Sequence, residues 1–211
     1  MLSFDEARTR LLDAARKVKG VDRVPLADGL GRVLAESIRS TLDVPPLDNS
    51  GMDGYAVRCA DVPAAGTALR VAQRIPAGSV GHALEPGTAA RIFTGAPVPA
   101  GADAVVMQEL CERGAEGMVV INHVPARDDN IRRAGEDIRK DAEVLAAGTL
   151  LTPAAIGMAA SVGVAQLPVL RRLSVAVLST GDELATPGEP LPPGAIYNSN
   201  RYQLTALLKS M

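Results

Sequence analysis

The middle of the chain alternates short β-type runs with tight turns, and this alternation constrains the fold more than any other feature. Clusters of Gly, Pro, Asp and Asn separate the runs, and these residues supply the backbone conformations that turns require. Hydrophobic residues make up 47% of the chain, so its 20 Gly and 15 Pro indicate turns and not disorder. We predict a compact β-rich unit over residues 41–138, with runs at residues 55–58, 69–75, 89–94, 104–109 and 118–123.

A helical pattern precedes the β-rich middle. Ser3 and Glu6 form an S-x-x-E capping box, which satisfies backbone N–H groups at a helix start. Residues 30–38 suggest either a second short amphipathic helix or a passage from helix to strand. Five apolar residues share one face of the first helix, which we expect to end near Gly20: Ala7, Leu11, Leu12, Ala15 and Val18.

A second helical pattern follows the β-rich middle, over residues 149–170. Thr152 is a good N-cap, Pro153 suits the first helical position, and Gly163 fits the stop. Helical segments therefore flank the β-rich unit on both sides. One economical arrangement inserts a β-rich domain into a helical domain whose two pieces pack together.

The last segment has the pattern of one strand-loop-helix unit. Residues 173–180 form a continuous apolar run, which is typical of a strand buried on both faces of a parallel sheet. A loop rich in Pro and Gly follows, and a helical pattern begins after residues 198–200. Such a strand needs neighbours on both sides. We therefore expect that another chain supplies them or, as we favour, that this is a fragment of a longer protein.

Composition and charge exclude several classes of partner. The formal net charge is −2 and the pI is near 5.7, so no basic surface for nucleic acid or an anionic membrane is indicated. Aromatic residues are only 2% of the chain and Trp is absent, which argues against base-stacking platforms. The charged N-terminal sequence does not resemble a signal peptide. We expect a cytoplasmic protein.

The cysteines and histidines do not form a metal-binding pattern. Cys59 and Cys111 are 52 positions apart, no CxxC motif exists, and His82 and His123 are isolated. A Cys/His metal site is therefore not expected. We interpret the two cysteines as reduced, buried thiols.

The first candidate motif is the loop from Asp48 to Tyr55, with the sequence DNSGMDGY. Two carboxylates, an amide and a hydroxyl lie within eight residues that include two glycines. Glycines allow backbone N–H groups to approach a ligand closely, and clustered carboxylates suit Mg²⁺. A polar turn held by side-chain hydrogen bonds explains the same composition equally well.

The second motif, FTGAPVP at residues 93–99, places a Thr-Gly turn at the end of a strand. Two prolines stiffen the segment that follows. The hydroxyl and the free N–H groups at this rigid strand end could hold an oxyanion. An ordinary strand-terminating loop is the alternative, and it is favoured when the motif is taken alone.

The third motif, NIRRAGED at residues 130–137, sets paired cations beside paired anions around one glycine. Arg132 and Arg133 could clamp a phosphate through bidentate bonds, and Glu136 or Asp137 could bind a metal or act as a base. A salt-bridged connector between domains is the alternative.

The fourth motif, STGDE at residues 179–183, directly follows the predicted buried strand. Ligands of open α/β sheets bind outside the carboxyl ends of the strands. Ser199 and Asn200 lie at the start of the next predicted helix, where the N-terminus favours phosphate. An ordinary strand-to-helix loop with a helix N-cap is the weaker alternative.

These motifs, taken in order, resemble the molybdopterin molybdenumtransferase family, which includes bacterial MoeA and the gephyrin E domain. The resemblance covers residues 4–208 and rests on five ordered segments: DNSGMDGYA, IFTGAPVPAGADAVVMQE, NIRRAGEDI, LSTGDEL and IYNSNRYQL. Family members are about twice as long and have four domains. The implied fold is α+β and multidomain: a discontinuous helical domain I with an inserted β-rich domain II, followed by the first βα unit of a truncated α/β molybdopterin-binding domain III. The implied boundaries are 1–40 plus 139–172, 41–138, and 173–211.

The resemblance also implies a reaction and its site. The family inserts molybdate into adenylylated molybdopterin and releases AMP, and it uses Mg²⁺ to neutralise the phosphoanhydride. Four residues match the family's active-site positions, namely Asp53, Thr94, Asp137 and Glu183. We assign Asp53, Asp137 and Glu183 to metal and water handling, and Thr94 to holding substrate. The implied pterin-binding residues are Ser179, Gly181, Asp182, Ser199 and Asn200.

Family active sites form in a homodimer, between domain II of one subunit and domain III of the other. The resemblance therefore implies a homodimer through domains I and II, a small pterin substrate and, as a further partner, the molybdopterin adenylyltransferase. Because most of domain III is missing, we expect this chain alone to lack the insertase activity. The alternative is a non-catalytic module for dimerisation and interaction, derived from the same family.

Overall fold

The computed structural model describes residues 2–210. It contains three α-helices, α1 (Phe4–Ala14), α2 (Pro153–Ser161) and α3 (Ser199–Ser210). Fourteen short strands complete the regular structure: β1 (Val21–Pro25), β2 (Ile38–Arg39), β3 (Asn49–Ser50), β4 (Gly54–Val57), β5 (Thr67–Ile75), β6 (Thr88–Ile92), β7 (Ala104–Met107), β8 (Cys111–Arg113), β9 (Met118–Ile121), β10 (Ile131–Arg132), β11 (Glu143–Leu145), β12 (Gln166–Leu170), β13 (Leu184–Ala185) and β14 (Ile196–Tyr197). The protein is therefore a mixed α/β chain with few helices.

The chain forms two compact units. The first comprises Met1–Glu36, Ala146–Ile156 and Ala165–Met211, and the second comprises Ser37–Leu145 and Gly157–Val164. No helix within residues 2–210 combines the length and the apolar character that a bilayer crossing requires.

The second unit is built on a six-stranded sheet in the order β7-β4-β6-β5-β9-β8. Neighbouring strands run antiparallel except β5 and β6, which are parallel. The five β-type runs predicted from the sequence all lie in this sheet. Two two-stranded ladders, β10 with β3 and β11 with β2, belong to the same unit.

Both faces of the six-stranded sheet are covered, because successive residues of its strands enter different cores. Side chains alternate between the faces of a strand, and the pairs at positions 56–57, 89–90 and 105–106 each divide between two clusters. The first cluster contains Val57, Val62, Leu69, Ala89, Ala104, Val106, Val119 and Ile121. The second contains Ala56, Ile75, Leu84, Ala90, Ile92, Ala96 and Val105.

In the first unit, the N-terminal segment and the segment that follows the β-rich middle are joined by paired strands and not by packed helices. Strand β1 pairs with β12 in antiparallel register, and Leu34 bridges to Val169 beside it. Leu34, Leu151, Leu167 and Val169 are fully buried here. The two flanking pieces therefore do come together in one unit, but through backbone hydrogen bonds between strands and not through packed helices. Residues 166–170, predicted as helical, form β12.

Helix α1 has the predicted capping box but is shorter than predicted. The Ser3 hydroxyl accepts from the Glu6 N–H, and the Glu6 carboxylate accepts from the Ser3 N–H at 2.8 Å. The helix ends at Ala14, and the following residue is extended. None of its residues is buried, and Phe4 and Leu11 are largely exposed. The apolar face predicted for this helix has no core to pack against among the described residues.

The remaining helix predictions have mixed outcomes. For residues 30–38, the structure shows bridges and strand β2, so the passage to a strand is correct and the helix is wrong. Helix α2 begins at Pro153 as predicted, and the Thr152 hydroxyl accepts from the Ala155 N–H at 3.2 Å. Gly163 follows the helix with φ +79°, the conformation that glycine provides at helix ends.

The predicted buried strand at residues 173–180 is wrong. The segment has no regular structure, and Leu173, Val175 and Leu178 are exposed. No strand within residues 2–210 pairs with it, although a strand buried on both faces of a sheet requires such partners. The helix predicted after residues 198–200 is confirmed as α3.

Candidate functional site

The loop from Asp48 to Tyr55 leads from a short ladder into the large sheet. Its first part, β3, pairs with β10, and its last part opens β4. Ser50 is 1% exposed, and its hydroxyl both donates to the Met52 carbonyl at 2.5 Å and accepts from the Met52 N–H at 3.3 Å. The polar-turn interpretation therefore accounts for Ser50.

The second motif is bonded to this loop through its backbone. The Ser50 N–H donates to the Ala96 carbonyl at 2.9 Å, and the Gly95 N–H donates to the Ser50 carbonyl at 2.8 Å. The Val98 N–H donates to the Asp48 carbonyl at 2.9 Å. Gly95 has φ +80°, which glycine adopts without strain. Two motifs separated by some forty residues are thus held in fixed register.

Asp53 and Thr94 meet across these two motifs. The Thr94 N–H and hydroxyl both donate to Asp53 Oδ1, at 2.8 and 2.7 Å. These two bonds, the backbone N–H first, lower the pKa of Asp53, and the charge of Arg91 lowers it further. Asp53 is therefore ionised at neutral pH. Both donors of Thr94 are directed at this carboxylate.

The third motif contacts the first through Asp48. The Ala134 N–H donates to Asp48 Oδ1 at 2.8 Å, and the Arg133 guanidinium pairs with Asp48 and with Asp128. The Ala134 N–H bond, followed by the Arg133 interaction, lowers the pKa of Asp48. Two segments that are distant in the sequence, residues 93–99 and 130–137, therefore converge on the Asp48–Tyr55 loop.

The two arginines of the third motif are both bonded to carboxylates. Arg132 donates from Nε to Glu136 at 3.2 Å and from Nη2 to Asp137 Oδ1 at 2.6 Å. These pairings raise the pKa of Arg132, and the pairing with Asp48 raises that of Arg133. The arrangement fits the salt-bridged connector better than the phosphate clamp. Asp137, which accepts a hydrogen bond from Arg132, is exposed.

The fourth motif lies in the first unit and is mostly exposed. The Ile196 N–H donates to the Glu183 carbonyl at 2.8 Å, beside the parallel pair β13–β14. Gly181 has φ +146°, and its carbonyl accepts from the Leu184 N–H at 3.2 Å. The side chains of Ser179, Asp182 and Glu183 are exposed.

Helix α3 starts with a side-chain cap beside this loop. Asn198 Oδ1 accepts from the Arg201 N–H at 3.1 Å, as an N-cap side chain does. Ser199 and Asn200 are exposed in the first turn. Their assignment to the pterin stays a prediction.

The predicted metal ligands are carboxylates, and carboxylate oxygens are ligands that Mg²⁺ prefers. One oxygen of Asp53 is bonded to Thr94, and one oxygen of Asp137 is bonded to Arg132. Across residues 2–210, no three Asp, Glu, His or Cys side chains are arranged to hold a metal ion.

Arg91 is a site residue that sequence reasoning missed. Its guanidinium donates to the Gly54 carbonyl at 2.8 Å and to Gln108 Oε1 at 2.5 Å. It lies 4.5 Å from the ring centroid of Phe93 and 5.2 Å from that of Tyr55. A single cation in an otherwise apolar run, TAARI, is the sequence signal that could have found it.

The two cysteines are free and partly buried. Burial raises the pKa of Cys59 and of Cys111 to about 11, and Asp103 contributes to the effect at Cys59. Both thiols are therefore protonated at neutral pH, and neither has the lowered pKa of a reactive cysteine.

Comparisons with known proteins point to one family. A family model described as the MoeA N-terminal region (domain I and II) matches residues 2–163. The chain is 41% identical to the molybdopterin molybdenumtransferase of Haemophilus influenzae, over 100% of this chain and 52% of that protein. It is 47% identical to molybdopterin molybdenumtransferase 2 of Mycobacterium tuberculosis, over 88% of this chain and 47% of that protein. The crystal structure of the molybdopterin biosynthesis MoeA protein from Pyrococcus horikoshii superposes with a TM-score of 0.89 at 34% identity, covering 99% of this chain and 57% of that one. The chain spans about half the length of the relatives it matches.

Proposed function

Because the chain belongs to the MoeA family, we propose that it acts in molybdenum cofactor biosynthesis, in the insertion of molybdate into adenylylated molybdopterin with release of AMP. Its relatives carry the name molybdopterin molybdenumtransferase. One observation supports the proposal most strongly. Two distant motifs converge on the Asp48–Tyr55 loop, and Thr94 holds the carboxylate of Asp53 there.

The state of Asp53 indicates how it would act. A lowered pKa makes a carboxylate a poor proton acceptor but a persistent negative charge. Asp53 therefore suits the binding of a cation or the orientation of a water molecule better than general-base catalysis. Thr94 directs both of its donors at Asp53, so it fixes this charge. Its proposed contact with substrate would require one of these donors to be released.

Mg²⁺ is part of the proposed reaction, where it would neutralise phosphate charge. Asp53, Asp137 and Glu183 are its proposed ligands. Since no three such groups cluster within residues 2–210, further ligands from substrate, water or another polypeptide are needed.

The domain assignment and the pterin site extend the proposal. We propose a discontinuous domain I at residues 1–40 and 139–172, an inserted domain II at residues 41–138, and the start of a molybdopterin-binding domain III at residues 173–211. The proposed pterin-binding residues are Ser179, Gly181, Asp182, Ser199 and Asn200. Their exposure leaves them accessible to a ligand. The proposed location is the cytoplasm, and the proposed partners are a second copy of the chain and a molybdopterin adenylyltransferase.

We also propose that the 211-residue chain by itself does not catalyse the insertion. Residues 173–180 are mostly exposed and pair with no strand of the described structure, and α3 has no buried residue. The second candidate function is therefore a non-catalytic module for dimerisation and interaction. The exposed Phe4 and Leu11 of α1 favour it, since such side chains often mark a contact surface.

A chimeric enzyme tests the proposed function. Residues 1–170 of this chain replace the matching segment of the Haemophilus influenzae relative, and AMP release from adenylylated molybdopterin is measured with molybdate and Mg²⁺. We expect activity, and a loss of about 100-fold or more in the Asp53→Asn chimera, as for removal of an essential charged group. Asp13→Asn is the matched control, because Asp13 is exposed on α1. Equal rates for both variants would contradict the role of Asp53.

The same assay applied to the 211-residue chain separates the two candidate functions. We expect no AMP release from the chain alone. Release at a rate comparable to that of the full-length relative would overturn the claim that this chain is inactive, and with it the non-catalytic candidate.

A further inference from the structure

Two arginines on neighbouring strands of the second unit share one aromatic ring. Arg74 on β5 and Arg91 on β6 face each other in the parallel pair. Their guanidinium carbons lie 4.4 and 4.5 Å from the ring centroid of Phe93. The ring attracts each cation through its quadrupole but does not neutralise it. Two like charges therefore lie on directly paired residues and contact one ring, an arrangement that is unfavourable without a counter-charge.

Neither arginine forms an ion pair with any residue between 2 and 210. This distinguishes them from Arg132 and Arg133, whose guanidinium groups are bonded to carboxylates. Arg91 is fixed by neutral oxygens only, from Gly54, Gln108 and Ile92. Its orientation is therefore set by neutral groups, and no carboxylate pairs with it directly, although its charge acts on Asp53 nearby.

Two carboxylates, Asp53 and Glu109, are linked to this cluster by hydrogen bonds through other side chains and form no ion pair with either arginine. Asp53 is linked through Thr94, the residue after Phe93, and Glu109 accepts from Gln108 Nε2 at 3.1 Å. The donors of Thr94 are committed to Asp53. Two sets of donors therefore remain for an anion that binds near Asp53. They are the exposed guanidinium of Arg74 and the remaining N–H groups of Arg91.

We propose that Arg74 and Arg91, here called the arginine pair, bind a tetrahedral dianion beside the Phe93 ring. The ligand is molybdate itself or a terminal phosphate group. The planar guanidinium matches two oxygens of such an anion, and two cations match its two charges. This inference rests on the proposed function, because it names the residues that would bring an oxyanion to Asp53. It also gives a role to Arg74, which no motif in the sequence singled out.

Equilibrium dialysis of the full 211-residue chain tests the inference without turnover. The probes are molybdate, inorganic phosphate and AMP, each alone. Arg74→Gln is the decisive variant, since the Arg74 side chain is exposed and forms no ion pair with residues 2–210, so its replacement should leave the fold intact. Arg91→Gln is the second variant, and its thermal unfolding is compared with that of wild type. Arg70→Gln is the matched control, because it removes the same charge from the same strand, at an arginine 3.8 Å from Glu85.

We expect wild type to bind at least one probe at millimolar concentrations or below, and the dissociation constant to rise about tenfold in Arg74→Gln, as for a lost charge-assisted hydrogen bond. The constant for Arg70→Gln should stay within about twofold of wild type. Tighter binding of molybdate identifies the metal oxyanion as the ligand, whereas tighter binding of phosphate and AMP identifies the phosphate group. No binding of any probe, or equal weakening by Arg70→Gln, would overturn the inference.

The outcome is separable from that of the proposed function. If the chimera is active but its wild-type segment binds no dianion, the proposed function is supported and the proposed role of the arginine pair is contradicted. Dianion binding that Arg74→Gln weakens, in a chimera that releases no AMP, supports the arginine pair and contradicts the reaction.

Discussion

The loops at residues 48–55 and 179–183 have similar composition but very different surroundings. Each combines glycine, carboxylate and hydroxyl groups. The first is bonded to two distant segments, through Ala96 and Ala134 among others. The second is held only by local turns and a two-residue parallel pair. Composition therefore indicates which groups a site has, whereas backbone partners from elsewhere in the chain decide whether they are preorganised.

The largest expected difference between the regions concerns backbone packing at Gly54. A Cβ added there would lie 2.0 Å from the Val106 carbonyl oxygen, within a sheet that cannot shift cheaply. We expect Gly54→Ala to lower the free energy of unfolding by about 3 kcal/mol or more. Gly157→Ala is the control, because nothing lies within 4 Å of its added Cβ. It sits in α2, where alanine should stabilise by about 0.5–1 kcal/mol. Urea unfolding measures both, and a neutral Gly54→Ala would contradict the packing described.

Truncation of one apolar side chain in each region compares how well the two regions are packed. Ile92 is fully buried in the second unit, whereas Leu178 is 89% exposed. Ile92→Ala should cost about 2–5 kcal/mol, and Leu178→Ala less than about 0.5 kcal/mol. Equal costs, measured by thermal unfolding, would mean that residues 173–180 are packed after all.

These two positions also show what the sequence could predict. The run containing Ile92 was identified as a strand because β-formers and turn residues mark it locally, and the sheet supplies its neighbours. The run at 173–180 has an equally clear pattern, but a strand buried on both faces requires partner strands. None pairs with it within residues 2–210. A local pattern therefore predicts an element only where tertiary partners exist.

The candidate site was predictable to a similar extent. Asp53 and Thr94 were identified through ordered motifs, and the structure joins them by hydrogen bonds. Arg74 was not found, because only the parallel pairing of β5 with β6 brings it to Phe93. Such a non-local contact leaves no spacing signal in the sequence.

A smaller effect is expected from the charge of Asp48. Asp48→Asn should cost about 1 kcal/mol, because a partly exposed bond to Arg133 is lost and the Ala134 bond is weakened. Since the folded pKa of Asp48 is lowered, its carboxylate stabilises the fold above its unfolded pKa, near 3.8, and loses this effect as the pH falls through the folded value. Wild type and variant should therefore converge in stability at acid pH.

The matched control for this prediction is Asp182→Asn in the second loop. Asp182 is exposed, so its replacement should change the free energy of unfolding by less than about 0.5 kcal/mol. A loss for Asp182→Asn as large as that for Asp48→Asn would remove the distinction between the two loops.

The smallest expected effect is a change in one titration. Thr94→Val removes the hydroxyl bond to Asp53 but keeps the backbone N–H bond, which is the larger cause of the lowered pKa. The pKa of Asp53 should therefore rise but remain below its ordinary value, with little change in stability. The carboxyl carbon resonance of Asp53, followed by NMR against pH, measures the shift, and the titration of Asp48 serves as the internal control. An unchanged Asp53 titration would show that the hydroxyl does not bond it.

Native-state hydrogen exchange of the intact chain tests most directly the claim that the first loop is preorganised and the last segment is not. The amides of Ser50 and Ala96 are bonded to carbonyls at 2.9 Å within a buried network. We predict that they exchange at least about 100-fold more slowly than unstructured amides, and that the amides of residues 173–180 exchange at nearly unstructured rates. Protection at residues 173–180 equal to that at Ser50 would contradict the account.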